Sequence, residues 1–284
     1  MEIRSNDAII DQALNDTLFL ESNLGEVTLK NGTSIKVFDN GNFEKPVILF
    51  VPMIKEVNFL YVPLIKYFKN NYRPIIYEPN LSTTKHFRVA DRVAEINNLL
   101  ETLNIPQCNI IAWSDTCSTA YYLGKKYPNL CASISFLGIA DRYILPQPYQ
   151  FLVKALSDYQ LEKIIPSIIS AYFMCKCLGG NHIRFKWLFA KAKRIPDFTK
   201  ILKFSIVPNL TDHIPIKSEM KVACKIICGE RDFLANPERS AKMFQLLPNC
   251  YGIDTIYHAE HFFVYINHKD VALSIDNFFN QIKK

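Results

Sequence analysis

Ser114 stands where an apolar run, Asn109–Ala112, gives way to a helical pattern over Thr116–Tyr127 with Ala120, Leu123 and Tyr127 on one side. A serine at a sharp strand-to-helix turn has its hydroxyl lifted clear of the sheet, toward whatever is bound beyond it. The helix that follows directs its N-terminus and its free N–H groups at the same place. Those groups can hold the negative charge that develops on a substrate oxygen during attack. The chemistry on offer is nucleophilic, but a serine hydroxyl attacks poorly until a base takes its proton, and the base needs an orienting acid. Taken alone, the stretch also fits an ordinary strand–helix junction. Cys117 lies in the first turn of the same helix, where a thiol pKa can fall, but its direction on the helix is away from the apex of the turn. Trp113, next to Ser114, is a candidate substrate contact.

The elements that must position such a serine can be read along the chain. Residues 1–22 form an irregular or helical arm. Glu26–Lys30 and Ser34–Phe38 flank Asn31-Gly32, the signature of a type I′ hairpin. Val47–Val51, VILFV, is a continuous apolar run and reads as a strand buried on both faces, as does Arg73–Tyr77. Leu60–Tyr67 is helical, and Val89–Leu103 is an amphipathic helix with Val93, Ile96, Leu99, Leu100 and Leu103 on its apolar side. Further strands are expected at Ala132–Leu137, Val222–Cys228 and Tyr251–Ile256, with helices at Pro237–Leu247 and Val271–Ile282. Alternation of this kind implies an α/β fold, a mostly parallel sheet with helices on both faces. Sites in such sheets lie at the carboxyl ends of the strands, and Ser114 lies just beyond one. Between Gly138 and Lys221 there is no clear strand, and Gln150–Leu156, Gln160–Leu178 and Ile183–Ala192 look helical.

Taken together, the hairpin, the alternating elements, the serine turn and the helical insertion resemble the α/β-hydrolase superfamily over roughly residues 25–284. The resemblance implies an α/β-hydrolase core over 1–139 and 221–284 with a helical cap over 140–220. It implies the chain order Ser, then Asp or Glu, then His. The segment Gly229-Glu230-Arg231-Asp232-Phe233-Leu234-Ala235-Asn236-Pro237 is similar to the family's Gly-x-x-Asp loop and makes Asp232 the acid. The segment Tyr257-His258-Ala259-Glu260-His261-Phe262-Phe263 looks like its histidine loop and makes His261 the base. The alternatives are a turn aspartate and a surface histidine, with His258 and Asp141 as substitute base and acid. By position in the family, the oxyanion is held by the backbone N–H groups of Asp115 and Met53. The chain departs from the family pattern in two places. Ala112 and Thr116 stand where Gly-x-Ser-x-Gly has its glycines, and Val51-Pro52 stands where His-Gly is usual. The Asp115 carboxylate is expected to cap the helix that follows.

Eight cysteines lie scattered in a chain of 284 residues, without a disulfide-framework spacing, and no export signal precedes them. That pattern points to reduced thiols in the cytoplasm. Neither Cys175-Lys-Cys177 nor Cys224 and Cys228 has a partner pair at ligand spacing, so no metal is expected. The net charge of +6 comes without any nucleic-acid motif. The apolar stretch Ile164–Leu178 is broken by Pro166, Ser167, Ser170 and Lys176, so no membrane span is expected. Between Lys176 and Lys203 eight cations face one acid, Asp197, with Phe185, Trp187, Phe189 and Phe198 interleaved. Such a stretch is either a solvated helix face or a basic surface that receives an acidic acyl carrier protein. The expected function is a serine hydrolase, without cofactor, acting on an ester or thioester of a small-molecule or carrier-bound acyl group. The alternatives are an acyltransferase with the same triad and an inactive hydrolase fold used for binding.

Overall fold

The computed structural model describes residues 6–80, 89–140 and 220–283. A helix, α1 (Asn6–Ser22), leads into β1 (Leu24–Thr28) and β2 (Ser34–Asp39), so the first arm is helical. Next come β3 (Val47–Val51), a 3₁₀ segment (Lys55–Tyr61), α2 (Val62–Phe68), β4 (Arg73–Tyr77), α3 (Val89–Thr102), β5 (Cys108–Trp113), α4 (Thr116–Lys126) and β6 (Cys131–Leu137). The last described elements are β7 (Cys224–Gly229), α5 (Pro237–Leu246), β8 (Cys250–Ile256), α6 (Phe263–Ile266) and α7 (His268–Ile282). The expected strands are all present. The helix expected at Leu60–Tyr67 begins later, because the chain turns through the 3₁₀ segment first and Pro63 then opens α2. The proposed cap, Asp141 and the basic stretch lie outside the described residues, except for Ala140 and Met220 at the edges.

The eight strands form one sheet in the order β1-β2-β4-β3-β5-β6-β7-β8. The pairs β1–β2 and β2–β4 are antiparallel, and every pair from β4 to β8 is parallel. The α/β class, with an antiparallel hairpin added to a parallel sheet, is therefore as the sequence implied. The hairpin turn is not type I′, which needs positive φ at both central residues. Only Gly32 of the Asn31-Gly32 pair has it, at 83°. The Gly32 N–H donates to the Leu29 carbonyl at 2.8 Å and the Leu29 N–H to the Thr33 carbonyl at 2.8 Å, closing a three-residue loop with the glycine in the left-handed position.

Side-chain alternation divides the core in two. From β3, Ile48 and Phe50 join the layer made with α1, α2, α6 and α7, while Val47, Leu49 and Val51 face α3, α4 and α5. The unbroken apolar run of β3 follows from this, since both of its faces are covered. In α3 the buried residues are Val89, Arg92, Val93, Ile96, Leu99 and Leu100, the apolar stripe expected from the sequence with one arginine set into it. The helix α5 starts where the sequence signals it: Pro237 is at its first position, and the Asn236 side chain accepts the Arg239 N–H at 3.0 Å.

Beyond β7 and β8 two loops are held against each other. The Glu230 N–H donates to the Ile256 carbonyl at 3.0 Å and the Arg231 N–H to the Ala259 carbonyl at 2.9 Å. Gly229 makes this approach possible, since a Cβ there would stand 2.5 Å from the Ala259 carbonyl oxygen and 3.1 Å from that of Glu260. Both neighbours are backbone atoms, which cannot step aside as a side-chain tip can. Gly229→Ala is therefore expected to lower stability by about 1–3 kcal/mol, the usual range for overpacking. Denaturant melts of the two proteins check this, and an unchanged midpoint would show that the loops can part without cost.

Candidate active site

Ser114 takes φ +57°, the left-handed region that a non-glycine residue rarely occupies. Hydrogen bonds from several elements hold it there. Its N–H donates to the Leu137 carbonyl of β6 at 2.9 Å, and its own carbonyl accepts the Cys117 N–H at 3.0 Å. The Trp113 N–H donates to the hydroxyls of Tyr61 and Thr116, each at 2.9 Å. The Thr116 hydroxyl folds back onto the Trp113 carbonyl at 2.8 Å, and the Tyr61 hydroxyl donates to the Val51 carbonyl at 3.1 Å. Burial drives the Tyr61 pKa far upward, so the phenol stays protonated and remains a donor. Thr116 thus occupies the second glycine position of the usual pattern with a helical backbone, and its hydroxyl closes the turn.

The structure brings Ser114, His261 and Asp232 together. His261 Nε2 lies 2.8 Å from Ser114 Oγ, and His261 Nδ1 lies 2.9 Å from Asp232 Oδ2. With a carboxylate on the Nδ1 side, the favoured tautomer donates Nδ1–H to Asp232 and accepts the serine proton at Nε2. All three residues are buried: Ser114 and His261 are 6% exposed and Asp232 is 1% exposed. Burial alone would raise the Asp232 pKa. The attraction of the His261 ring, its hydrogen bond and the N–H groups of Ala235 and Leu234 outweigh that, and the pKa is lowered. Those two N–H groups reach Asp232 Oδ1 at 3.0 and 2.9 Å. The carboxylate is therefore ionised and fixed, as an orienting acid must be.

Trp113, expected to touch substrate, is turned to the histidine loop. Its indole N–H donates to the His261 carbonyl at 3.0 Å, and its ring centroid lies 5.1 Å from the imidazole. His258 does not reach Ser114. It is 61% exposed and lies against Arg231 and Glu230. The Cys117 thiol is buried, points at the Ala112 carbonyl at 3.3 Å, and has its pKa raised well above the ordinary value by burial. That is the opposite of an activated thiol. In register, Val51 is paired with Ala112, so the loop that carries Met53 leaves β3 beside the end of β5 that leads into Ser114. The backbone N–H groups of Met53 and Asp115 donate to no acceptor among the described residues, which leaves both free for an oxyanion.

Asp115 corrects an expectation. Its side chain makes no capping hydrogen bond to α4. Its Oδ2 instead accepts from Arg92 of α3 at 2.9 Å, and the two side chains are only 4% and 3% exposed. Sequence reasoning missed both Arg92 and Tyr61. An arginine in the buried stripe of α3 is the only sign of the first, and the second carries none. Near Arg92 lies Glu95, whose carboxylate accepts the Asn80 N–H at 3.1 Å and a hydrogen bond from Tyr77. Burial pushes the Glu95 carboxyl up to about 7. No cluster of three or more potential metal ligands occurs among the described residues. No helix among them is long and apolar enough to cross a membrane.

Solved structures share this architecture. A protein assigned as a non-heme bromoperoxidase from Mycobacterium tuberculosis H37Rv aligns with a TM-score of 0.68 and 19% identity, covering 88% of this chain and 97% of its own. The enol-lactonase of Burkholderia xenovorans LB400 aligns at 0.64 with 13% identity, covering 90% of this chain and 100% of its own. The 2-hydroxy-6-oxo-6-phenylhexa-2,4-dienoate hydrolase of Rhodococcus sp. strain RHA1 aligns at 0.65 with 14% identity, covering 90% and 99%. No family model matches the sequence, and no curated protein does. The fold is the α/β-hydrolase fold.

The Glu95 carboxyl generates a pH prediction. Its folded pKa of about 7 lies above the ordinary 4.5, so between those values the folded chain holds a proton that the unfolded chain has released. Its contribution is fully present below pH 4.5 and is lost as pH rises to about 7. The loss is on the order of 2–3 kcal/mol at 1.36 kcal/mol per unit. Glu95→Gln should flatten the stability profile between pH 4.5 and 7 and gain relative to the parent at the upper end. Parallel pH-dependent melts of both proteins, with the same slope in each, would show that Glu95 does not titrate there.

Proposed function

We propose that this protein is a serine hydrolase that cleaves an ester or thioester through an acyl-enzyme. The reading is carried by one observation, the unbroken chain of contacts from Ser114 through His261 to Asp232 at 2.8 and 2.9 Å. Ser114 Oγ attacks the substrate carbonyl while His261 Nε2 takes its proton, and the imidazolium formed is stabilised by the Asp232 carboxylate. The carbonyl oxygen becomes an oxyanion facing the N–H groups of Asp115 and Met53. Collapse expels the alcohol or thiol, which takes the proton from His261. Water, activated by the same histidine, then attacks the acyl group and frees Ser114. The half-buried Phe262 ring beside the histidine loop suits an apolar acyl group. The eight cations against one acid over residues 176–203 favour an acyl group delivered on an acidic carrier.

Hydrolysis of a panel of esters and thioesters of increasing acyl length, free and carrier-bound, tests the proposal. Ser114→Ala and His261→Ala should each lower kcat by about 10⁴-fold or more, because members of such a unit fail together. Asp232→Asn should cost about 10⁴-fold, as the imidazole loses its tautomer. Added salt should raise KM for the carrier-bound substrate alone, since screening acts over about 8–10 Å. Full turnover by Ser114→Ala would end the serine reading, and salt-independent KM would end the carrier reading.

A further inference from the structure

The residue after the serine carries an acid, and that creates a problem which Arg92 is placed to solve. Asp115 would supply an oxyanion N–H from its backbone, so its own carboxylate is confined to the neighbourhood of the negative charge that forms. Both Asp115 and Arg92 are almost fully buried, at 4% and 3% side-chain exposure, so solvent screens that repulsion little. The Asp115 Oδ1 atom has no hydrogen-bond partner, so the compensation comes through Oδ2. We propose that Arg92 is a positioning residue for the reaction. By pairing with Asp115 it cancels the carboxylate charge beside the oxyanion and fixes the start of α4, and with it the Asp115 N–H. The proposal rests on the reading of Ser114 as the nucleophile.

The local structure ties the Asp115 side chain to α3 and not to its own helix. Asp115 is in the helical region, at φ −59° and ψ −28°, and directs its carboxylate to α3, while the Cys117 and Ser118 N–H groups of its own helix are taken by the Ser114 and Asp115 carbonyls at 3.0 and 3.2 Å. Arg92 occupies a slot in the buried stripe of α3 that Val89, Val93 and Ile96 otherwise fill with hydrocarbon. A guanidinium keeps its charge in such a place, where a lysine would be inclined to lose it. Glu95, one turn further along α3, stays largely protonated below neutral pH because of its burial, so over that range it competes little for the guanidinium.

The test compares the parent with Arg92→Gln, Arg92→Lys and Arg92→Gln/Asp115→Asn, each as the full chain. A p-nitrophenyl ester turned over by the parent serves as substrate, at a temperature well below every melting transition. Arg92→Gln leaves an unpaired carboxylate beside the oxyanion, so kcat should fall by about ten- to a hundredfold, somewhat less than for loss of an oxyanion donor, with KM within about twofold. Adding Asp115→Asn removes the charge and should recover most of that loss. Arg92→Lys, whose buried amine tends to shed its proton and so compensates Asp115 only in part, should fall between parent and Arg92→Gln. A merely structural pair would shift the melting temperature and leave kcat of the folded protein unmoved. Parental kcat in Arg92→Gln, or no recovery in the double variant, overturns the proposal. Should Arg92→Gln not fold, Arg92→Lys and Arg92→Lys/Asp115→Asn repeat the comparison, and equal kcat in those two overturns it. Ser114→Ala separates the two readings. If it still turns over the ester, the nucleophile assignment fails. If it is inactive while Arg92→Gln keeps parental kcat, only the role of Arg92 fails.

Discussion

The left-handed backbone at Ser114 is the constraint on which the site depends. A non-glycine residue in this region costs about 1–3 kcal/mol and persists only where its surroundings leave no alternative. The surroundings here come from across the sheet: the Leu137 carbonyl at the end of β6, the Tyr61 hydroxyl spanning Val51 and Trp113, and the Thr116 hydroxyl folded onto its own turn. The strand order places β5 between β3 and β6, so all three tethers are within reach. Burial outweighs the strain. Ile110 and Ile111 of β5 are both fully buried, and each contributes about 1.5–3 kcal/mol. A stiff, doubly covered sheet can therefore hold one unfavourable residue with its side chain directed outward.

Three buried or half-buried acids near that residue are stabilised in three different ways. Asp232 stays charged because His261 and two backbone N–H groups face it. Asp115 is matched by a guanidinium at 2.9 Å. Glu95 has donors on its carboxylate, yet burial dominates and it holds its proton to about pH 7. Burial penalises charge in all three cases, and the outcome is decided by what faces each carboxylate. The result is a single anion aligned with the imidazole, where charge is useful, with the second cancelled and the third largely neutral in mildly acidic solution.

Much of this was legible in the sequence, for reasons that differ by element. Strands such as VILFV are readable because coverage on both faces demands unbroken apolar side chains. The helix α3 is readable because coverage on one face demands a stripe. Ser114, Asp232 and His261 stand at strand ends in the order that the resemblance implies, and the structure brings them within hydrogen-bonding distance. The resemblance favours His261 over His258, because His261 is the histidine followed by phenylalanine, and the structure agrees. The geometry of the loop after β8 turns one ring to Arg231 and the other to Ser114. The partner of Asp115 was not legible, because it lies 23 residues away on another helix and is fixed only by how α3 packs on α4. The hairpin turn was misread because Asn-Gly suits two turn geometries, and the length of the loop, set by strand pairing, selects between them.

The central claim is that Ser114 is a nucleophile made reactive by a base held in place by an acid. Reaction with a fluorophosphonate, followed by mass spectrometry of the digested protein, tests it most directly, because the reagent bonds to a serine only where that serine is activated. The account predicts a single adduct on the peptide containing Ser114, absent in Ser114→Ala and formed far more slowly in His261→Ala. An adduct on another residue, or none on the folded protein, would contradict it.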